Sequence, residues 1–188
     1  MHAAIAKLEI LGAHLVPVSL PHLDLCSPAE AHITLAEATS YHEPYMRSNI
    51  DLYGPGVRTD LEAGRYLLAT DYVKSQRART LLKRGFSDAF KNVDVIASPT
   101  LPAFPPVIGD VYVQSGDARE AVIDAFLRFA IPYNLTGLPA LTVPCGYSRA
   151  GLPIGFQVAG KPFDEMTLIR VGHAYEGAVP EHRRPLLD

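Results

Sequence analysis

Residues 131 to 165 contain Ile131-Pro132-Tyr133-Asn134-Leu135-Thr136-Gly137-Leu138-Pro139-Ala140-Leu141-Thr142-Val143-Pro144-Cys145-Gly146, and then, after Tyr147 to Ala150, Gly151-Leu152-Pro153-Ile154-Gly155-Phe156-Gln157-Val158-Ala159-Gly160-Lys161-Pro162-Phe163-Asp164-Glu165. Ala140 to Cys145 is a short apolar run, the pattern of a strand covered on both faces. Ile154, Phe156 and Val158 alternate with Gly155, Gln157 and Ala159, as in a half-covered strand. Ser148 to Pro153 supplies the turn chemistry of a hairpin between them. Asp164 is placed to cap a following helix, with Phe163 and Leu168 as a hydrophobic staple and Val171 and Tyr175 continuing its apolar face.

Upstream, Val122, Phe126 and Phe129 have helical spacing behind a capping pair, Asp117 and Glu120. Ile131-Pro132 should end that helix, because a residue before proline is pushed out of the helical region. Val93 to Ala97 is a second buried-strand pattern, stopped by Ser98-Pro99, and the prolines at 99, 102, 105 and 106 enforce an extended loop. Thr59 to Lys91 reads as helix, with Leu82, Phe86 and Phe90 at core spacing and with Gly64 and Gly85 as points of interruption. Ser27-Pro28-Ala29-Glu30 is a capping box, and Ala31, Leu35, Ala38, Tyr41 and Tyr45 continue one face of the helix it should open. Ile5, Leu8 and Leu11 predict a first helix ended at Gly12, and Leu15, Val16 and Val18 predict a strand, an edge one because of Pro17. Helices interleaved with buried strands indicate an α/β layered sheet, and no repeat or linker divides residues 1–188, which read as a single unit.

The chain has 188 residues, 48% of them hydrophobic, 20% charged, and a formal net charge of −3. That balance excludes a dedicated nucleic-acid binder and suits small, weakly charged ligands. Cys26 and Cys145 stand alone, so neither a disulfide framework nor a zinc ribbon is expected, and a reducing, cytoplasmic setting follows. No apolar run approaches the ~18 residues of a membrane span.

The search for chemistry is largely negative. There is no S-x-x-K, no G-x-S-x-G and no phosphate loop with a lysine in place. Gly146-Tyr147-Ser148-Arg149-Ala150 is the nearest approach to a nucleophile elbow, but Gly151-Leu152-Pro153 follows it where a helix is needed, so Ser148 reads as a hairpin residue. His42-Glu43 lacks the second histidine of a zinc helix, so no metal or other cofactor is expected. Lys74, Arg77, Arg79, Lys83 and Arg84 concentrate positive charge on one helical segment, which without interleaved aromatic residues reads as a solvated face. Arg65 and Arg128 each sit beside apolar residues, where a guanidinium either forks onto a substrate carboxylate or carbonyl or lies at the surface over a buried stem.

The two stretches quoted at the outset closely resemble the amidase signature family. So do Ala97-Ser98-Pro99-Thr100, matching a Thr/Ser-Pro-Thr turn, and Leu11 to Pro21, matching a Leu-Gly-Ala-x-x-Val-x-Val-Ser-Leu-Pro stretch. The resemblance runs through essentially the whole chain in the family's order. It implies the carboxy-terminal part of an α/β/α sandwich around a mixed central sheet, in an enzyme that hydrolyses amides through a Ser–cis-Ser–Lys triad. The triad belongs to the family's amino-terminal half, upstream of the helix that opens this chain, so the resemblance carries over no catalytic residue and makes this chain, alone, an inactive portion of the enzyme.

The expected substrate-facing residues are Arg65, Arg128, which precedes the Ile131-Pro132 run, and Asn134, which belongs with Gly137 to the family's most recognisable run, where the resemblance implies first a role in shaping the loop that borders the pocket. Arg65 aligns with an arginine that anchors the substrate carboxylate in the A-type chains of the glutamine-dependent tRNA amidotransferases. Those chains carry an aspartate just before the Ile-Pro-x-Asn run, where this sequence has Leu127 and Arg128, and the difference favours a general amidase. An A-type amidotransferase chain ranks second and a biuret- or allophanate-type hydrolase third, beside a non-catalytic interaction module descended from the family and one half of a split enzyme. The expected partners are a small amide substrate, the amino-terminal half of the enzyme and, through uncovered apolar surface, a second copy of the chain.

Overall fold

The computed structural model describes residues 1–179. In chain order its elements are α1 (His2–Ile10), α2 (Cys26–Asn49), α3 (Pro55–Gly64), α4 (Ala69–Ala89), β1 (Val95–Pro99), β2 (Tyr112–Ser115), β3 (Ala118–Ala121), α5 (Val122–Leu127), α6 (Ile131–Thr136), β4 (Ala140–Tyr147), β5 (Pro153–Gly160) and α7 (Glu165–Gly177). Among the described residues no helix is long and apolar enough to cross a membrane. Packing groups the chain into two compact units, residues 1–19 with 87–179, and Leu20–Phe86.

The first unit is built on a three-stranded sheet in the order β1-β5-β4, with both pairings antiparallel. One face presents Val143, Phe156 and Val158 to Ala4 and Leu8 of α1 and to Leu168 and Tyr175 of α7, and Val95, Ala97 and Leu141 pack against the same cluster. The Phe156 and Tyr175 rings meet edge to face at 4.6 Å. Because side chains alternate along a strand, the same register places Ser98, Gln157 and Thr142 in one row on the opposite face. β2 and β3 form a separate hairpin, turned at Gly116 with a positive φ.

The burial of the two long strands is the reverse of the expectation. β5 is the central strand, buried on both faces from Phe156 to Gly160, while β4 lies at an edge and exposes Ala140, Thr142 and Pro144. Edge placement also accommodates Pro144, which has no ladder donor. Residues 13–20 form no strand, because Pro17 removes a donor and no neighbouring strand pairs with them; Leu15, Val16 and Val18 stay substantially exposed.

Capping and turn signals are met unevenly. Asp117 and Glu120 do not cap α5, because this segment is the β2–β3 hairpin and Ala121 occupies the N-cap. Ile131-Pro132 opens α6 instead of ending the preceding helix: α5 already stops at Leu127, and a proline fits a first helical turn, whose N–H has no partner there anyway. Gly137, at φ 72°, closes α6 in the left-handed conformation that glycine adopts without strain. Asp164 holds the N-cap position of α7, where its carboxylate accepts from the Thr167 hydroxyl at 2.7 Å, but Phe163 is fully solvated and forms no staple.

The second unit packs α2 against α3 and the part of α4 up to Phe86. A short 3₁₀ turn, Leu23–Leu25, runs directly into α2, so Ser27 already lies inside the helix and the capping box is not formed; Glu30 instead accepts from Thr34. The buried face of α2 is Ala29, Ile33, Thr39 and Met46, whereas Tyr41 and Tyr45 face solvent. The helical stretch after Gly54 is interrupted after Gly64 as the glycine predicts, while Gly85 sits within α4 against Pro21.

Candidate functional site

Polar groups converge on the face of the sheet opposite the α1–α7 core. Gln157, only 5% exposed, donates through Nε2 to Ser98 Oγ at 3.1 Å, to the Pro99 carbonyl at 3.2 Å and to the Phe129 carbonyl at 2.8 Å. Ser98 Oγ lies 3.5 Å from the hydroxyl of Tyr133, which α6 holds in the buried layer. Burial raises the Tyr133 phenol above its ordinary value, and the hydrogen bond with Ser98 opposes that shift. One amide side chain therefore ties β1, β5 and the segment between α5 and α6.

Pro99 carries this network into a cavity of about 680 Å³. Its walls are the proline-rich loop from Pro99 to Pro105, Thr142 and Pro144 of β4, Ile154 and Gly155 of β5, Gln114 and Gly116 of the β2–β3 hairpin, and Met1. The Thr100 hydroxyl donates to Thr142 Oγ1 at 3.3 Å. Gly155 keeps the floor open: a Cβ there would stand 2.8 Å from Thr100 Oγ1 and 3.0 Å from Thr142 Cγ2. None of the described lining residues carries an ionisable side chain.

The substrate-facing residues expected from the sequence lie in different settings. Arg128 is bound to Glu120 of β3, a carboxylate 17% exposed whose Oε1 is buried without a partner. Asn134 is the solvent-facing position of the otherwise buried α6. Arg65, exposed, forms the C-cap of α3 in the second unit. Gln157 and Ser98 are site residues that sequence reasoning misses. The one signal they leave is a lone amide between Phe156 and Val158, because a buried polar side chain must find partners.

Among the described residues no serine is hydrogen-bonded to a lysine, and Ser148 accepts from the Leu152 amide inside the β4–β5 turn. Ser75 lies 3.3 Å from His32 Nδ1, but its side chain is buried between α4 and α2. His42 meets the Tyr53 hydroxyl, and no group of His, Cys, Asp or Glu among the described residues is fit to hold a metal. Lys74 is paired with Asp71 and otherwise solvated, in keeping with a solvated basic face on α4.

A family model described as Amidase matches residues 1–169. The chain is 40% identical to an amidase of Pseudomonas putida over 185 residues, covering 98% of this chain and 40% of that protein. It is 37% identical to the A-type chain of the glutamyl-tRNA(Gln) amidotransferase of Moorella thermoacetica over 204 residues, covering 96% and 41%. A solved amidase structure superposes with a TM-score of 0.86 at 27% identity, covering 94% of this chain and 41% of the other. The chain thus spans about 40% of the length of the curated relatives it matches.

Proposed function

The chain belongs to the amidase family, and from that premise we propose that it is the carboxy-terminal portion of an enzyme that hydrolyses carbon–nitrogen bonds of small amides in a reducing, cytoplasmic setting, with a Ser–cis-Ser–Lys triad supplied from outside this chain. The neutral lysine takes the proton of the bridging serine, which takes that of the nucleophilic serine. The serine oxygen then bonds to the amide carbon, the amine leaves with a proton, and water releases the acid. The observation that carries this division of labour is the second face of the sheet. Its row of Ser98, Gln157 and Thr142 ends in a cavity whose described side chains are not ionisable, with no nucleophile–base pair among them, which supports a chain that receives the substrate and does not attack it. Arg65, Arg128 and Asn134 are its proposed substrate-facing residues. The similarity to an A-type amidotransferase chain supports glutamine as a second reading, but Arg128, already engaged by Glu120, and the lack of ionisable side chains in the cavity lining weigh toward simple amides.

Turnover of simple amides by the 188-residue chain and by the longer protein that carries it tests the proposal. The chain alone is expected to be inert, since loss of a nucleophile–base unit costs on the order of 10⁶ in kcat. The longer protein is expected to be active and blocked by serine-directed inhibitors. Turnover by the chain alone, insensitive to such inhibitors, counts decisively against it. In the longer protein, Arg128→Leu is expected to lower kcat/KM about tenfold or more, and unchanged kinetics would leave Arg128 as the partner of Glu120 only.

A further inference from the structure

We propose that the pocket between α2 and the turn leading to α3 is a binding site for a small organic cation, an ammonium group carried on a compact alkyl frame. The pocket encloses about 520 Å³, the scale of a small-molecule site, and is built wholly from the second unit. Its walls are Tyr41, His42, Tyr45 and Asn49 of α2, Leu52 of the short 3₁₀ turn Ile50–Leu52, and Tyr53. Tyr41 and Tyr45 are neighbours because four residues make one helical turn, and their ring centroids stand 6.4 Å apart. The Tyr53 hydroxyl lies 3.0 Å from His42 Nδ1, with the two rings edge to face at 5.6 Å, so α2 also holds the third tyrosine in place. An aromatic face carries negative charge density, and several rings around one space attract a cation and repel an anion. The surrounding charge acts in the same sense. Residues 37–62 hold five carboxylates against two arginines, and both arginines are already engaged, Arg47 by Glu43 and Arg58 by Asp51 and Glu62. Asn49 donates through Nδ2 to the Ser48 hydroxyl, which leaves its carbonyl oxygen to accept from a ligand N–H or O–H. The site involves no amide-hydrolysing group and stands whether or not the amidase reading holds.

Calorimetric titration of the full-length protein with choline and with 3,3-dimethylbutan-1-ol, which puts an uncharged carbon where choline has its nitrogen, tests the site. Choline is expected to bind about fivefold tighter or more, since each exposed ring contributes about two- to fivefold to the binding of a cation. Equal affinities, tighter binding of the alcohol, or no binding of choline would overturn the proposal. This comparison needs no variant. Tyr41 is 71% exposed and Tyr45 56%, so Tyr41→Leu and Tyr45→Leu are expected to fold, which thermal unfolding checks. Each is expected to weaken choline about threefold or more and to leave the alcohol little changed, whereas Tyr41→Phe, which keeps the ring, stays within about twofold of the parent. Equal losses in the leucine and phenylalanine variants, or no loss in either leucine variant, would also overturn it. Phosphatidylcholine vesicles are expected not to carry the protein in flotation, and co-flotation would overturn the assignment to a free small molecule.

Discussion

Gln157 places an amide where every neighbour along β5 is apolar, and its donor atom faces three acceptors, two on β1 and one in the segment between α5 and α6. Gln157→Leu keeps much of the shape but strands the Phe129 and Pro99 carbonyls. A loss of about 2–3 kcal/mol is expected, read as a lower urea midpoint with an unchanged slope. Cys26 shows a different balance. It begins α2, and a helix N-terminus favours a thiolate, yet burial and the carboxylate of Asp24 push the thiol up to about 11. Since the ordinary value is 9.0, the unfolded chain releases this proton first. The contribution to stability is fully present below pH 9 and declines as pH rises toward about 11. Chemical denaturation across that range checks it, and Cys26→Ala should flatten the decline.

At the scale of elements, capping signals and close approaches separate cleanly. Ser27 carries the sequence of an N-cap, but the 3₁₀ turn before it has already started the helix and its hydroxyl makes no cap bond. Ser27→Ala is therefore expected to change stability by less than about 0.5 kcal/mol, where a true cap would lose ~1 kcal/mol. Gly64 ends α3 directly against α2. A Cβ there would lie 2.0 Å from Thr39 Oγ1 and 2.5 Å from the Leu35 carbonyl oxygen, and the backbone oxygen cannot rotate away. Gly64→Ala is expected to cost about 2–3 kcal/mol, the scale of overpacking. Gly172→Ala serves as the comparison: its clash is with the movable end of Leu141, at 2.6 Å, so the loss should be smaller. Thermal unfolding of the pair gives the order, and equal losses would refute the distinction between backbone and side-chain obstruction.

At the scale of the molecule, apolar residues remain uncovered where the sequence reads as sheet. Leu15, Val16 and Val18 are 45%, 51% and 37% exposed in an unpaired extended segment, and β4 leaves one edge without a partner strand among the described residues. Unpaired edges and apolar surface favour pairing with another chain. Leaving ~500 Å² of apolar area in water forfeits roughly 12 kcal/mol at about 25 cal/mol per Å², comparable with the stability of a whole domain, and collapse of loops over the gap makes this an upper bound. The chain by itself is expected to self-associate or to bind a hydrophobic dye, and the proposed longer enzyme to do neither. Light scattering coupled to size exclusion checks it; a monodisperse, dye-free monomer of the chain with cooperative unfolding would instead favour an independent interaction module.

The sequence by itself determined the family, the α/β class and the existence of β1, β4, β5, α1 and α7, because each depends on a local apolar pattern or on a run of residues such as Ile131 to Gly146. It also showed that Ser148 belongs to a turn, which needs only the neighbouring Gly151-Leu152-Pro153. Only the tertiary structure decided that β5 is central and β4 an edge. Periodicity assigns a residue to a face of its own strand but says nothing of which strands lie beside it. Likewise Gln157 meets Ser98 across 59 residues, and the cavity gathers its walls from β1, β2, β4, β5 and the proline loop. Such sites are made by pairings between distant segments, and no local pattern encodes them.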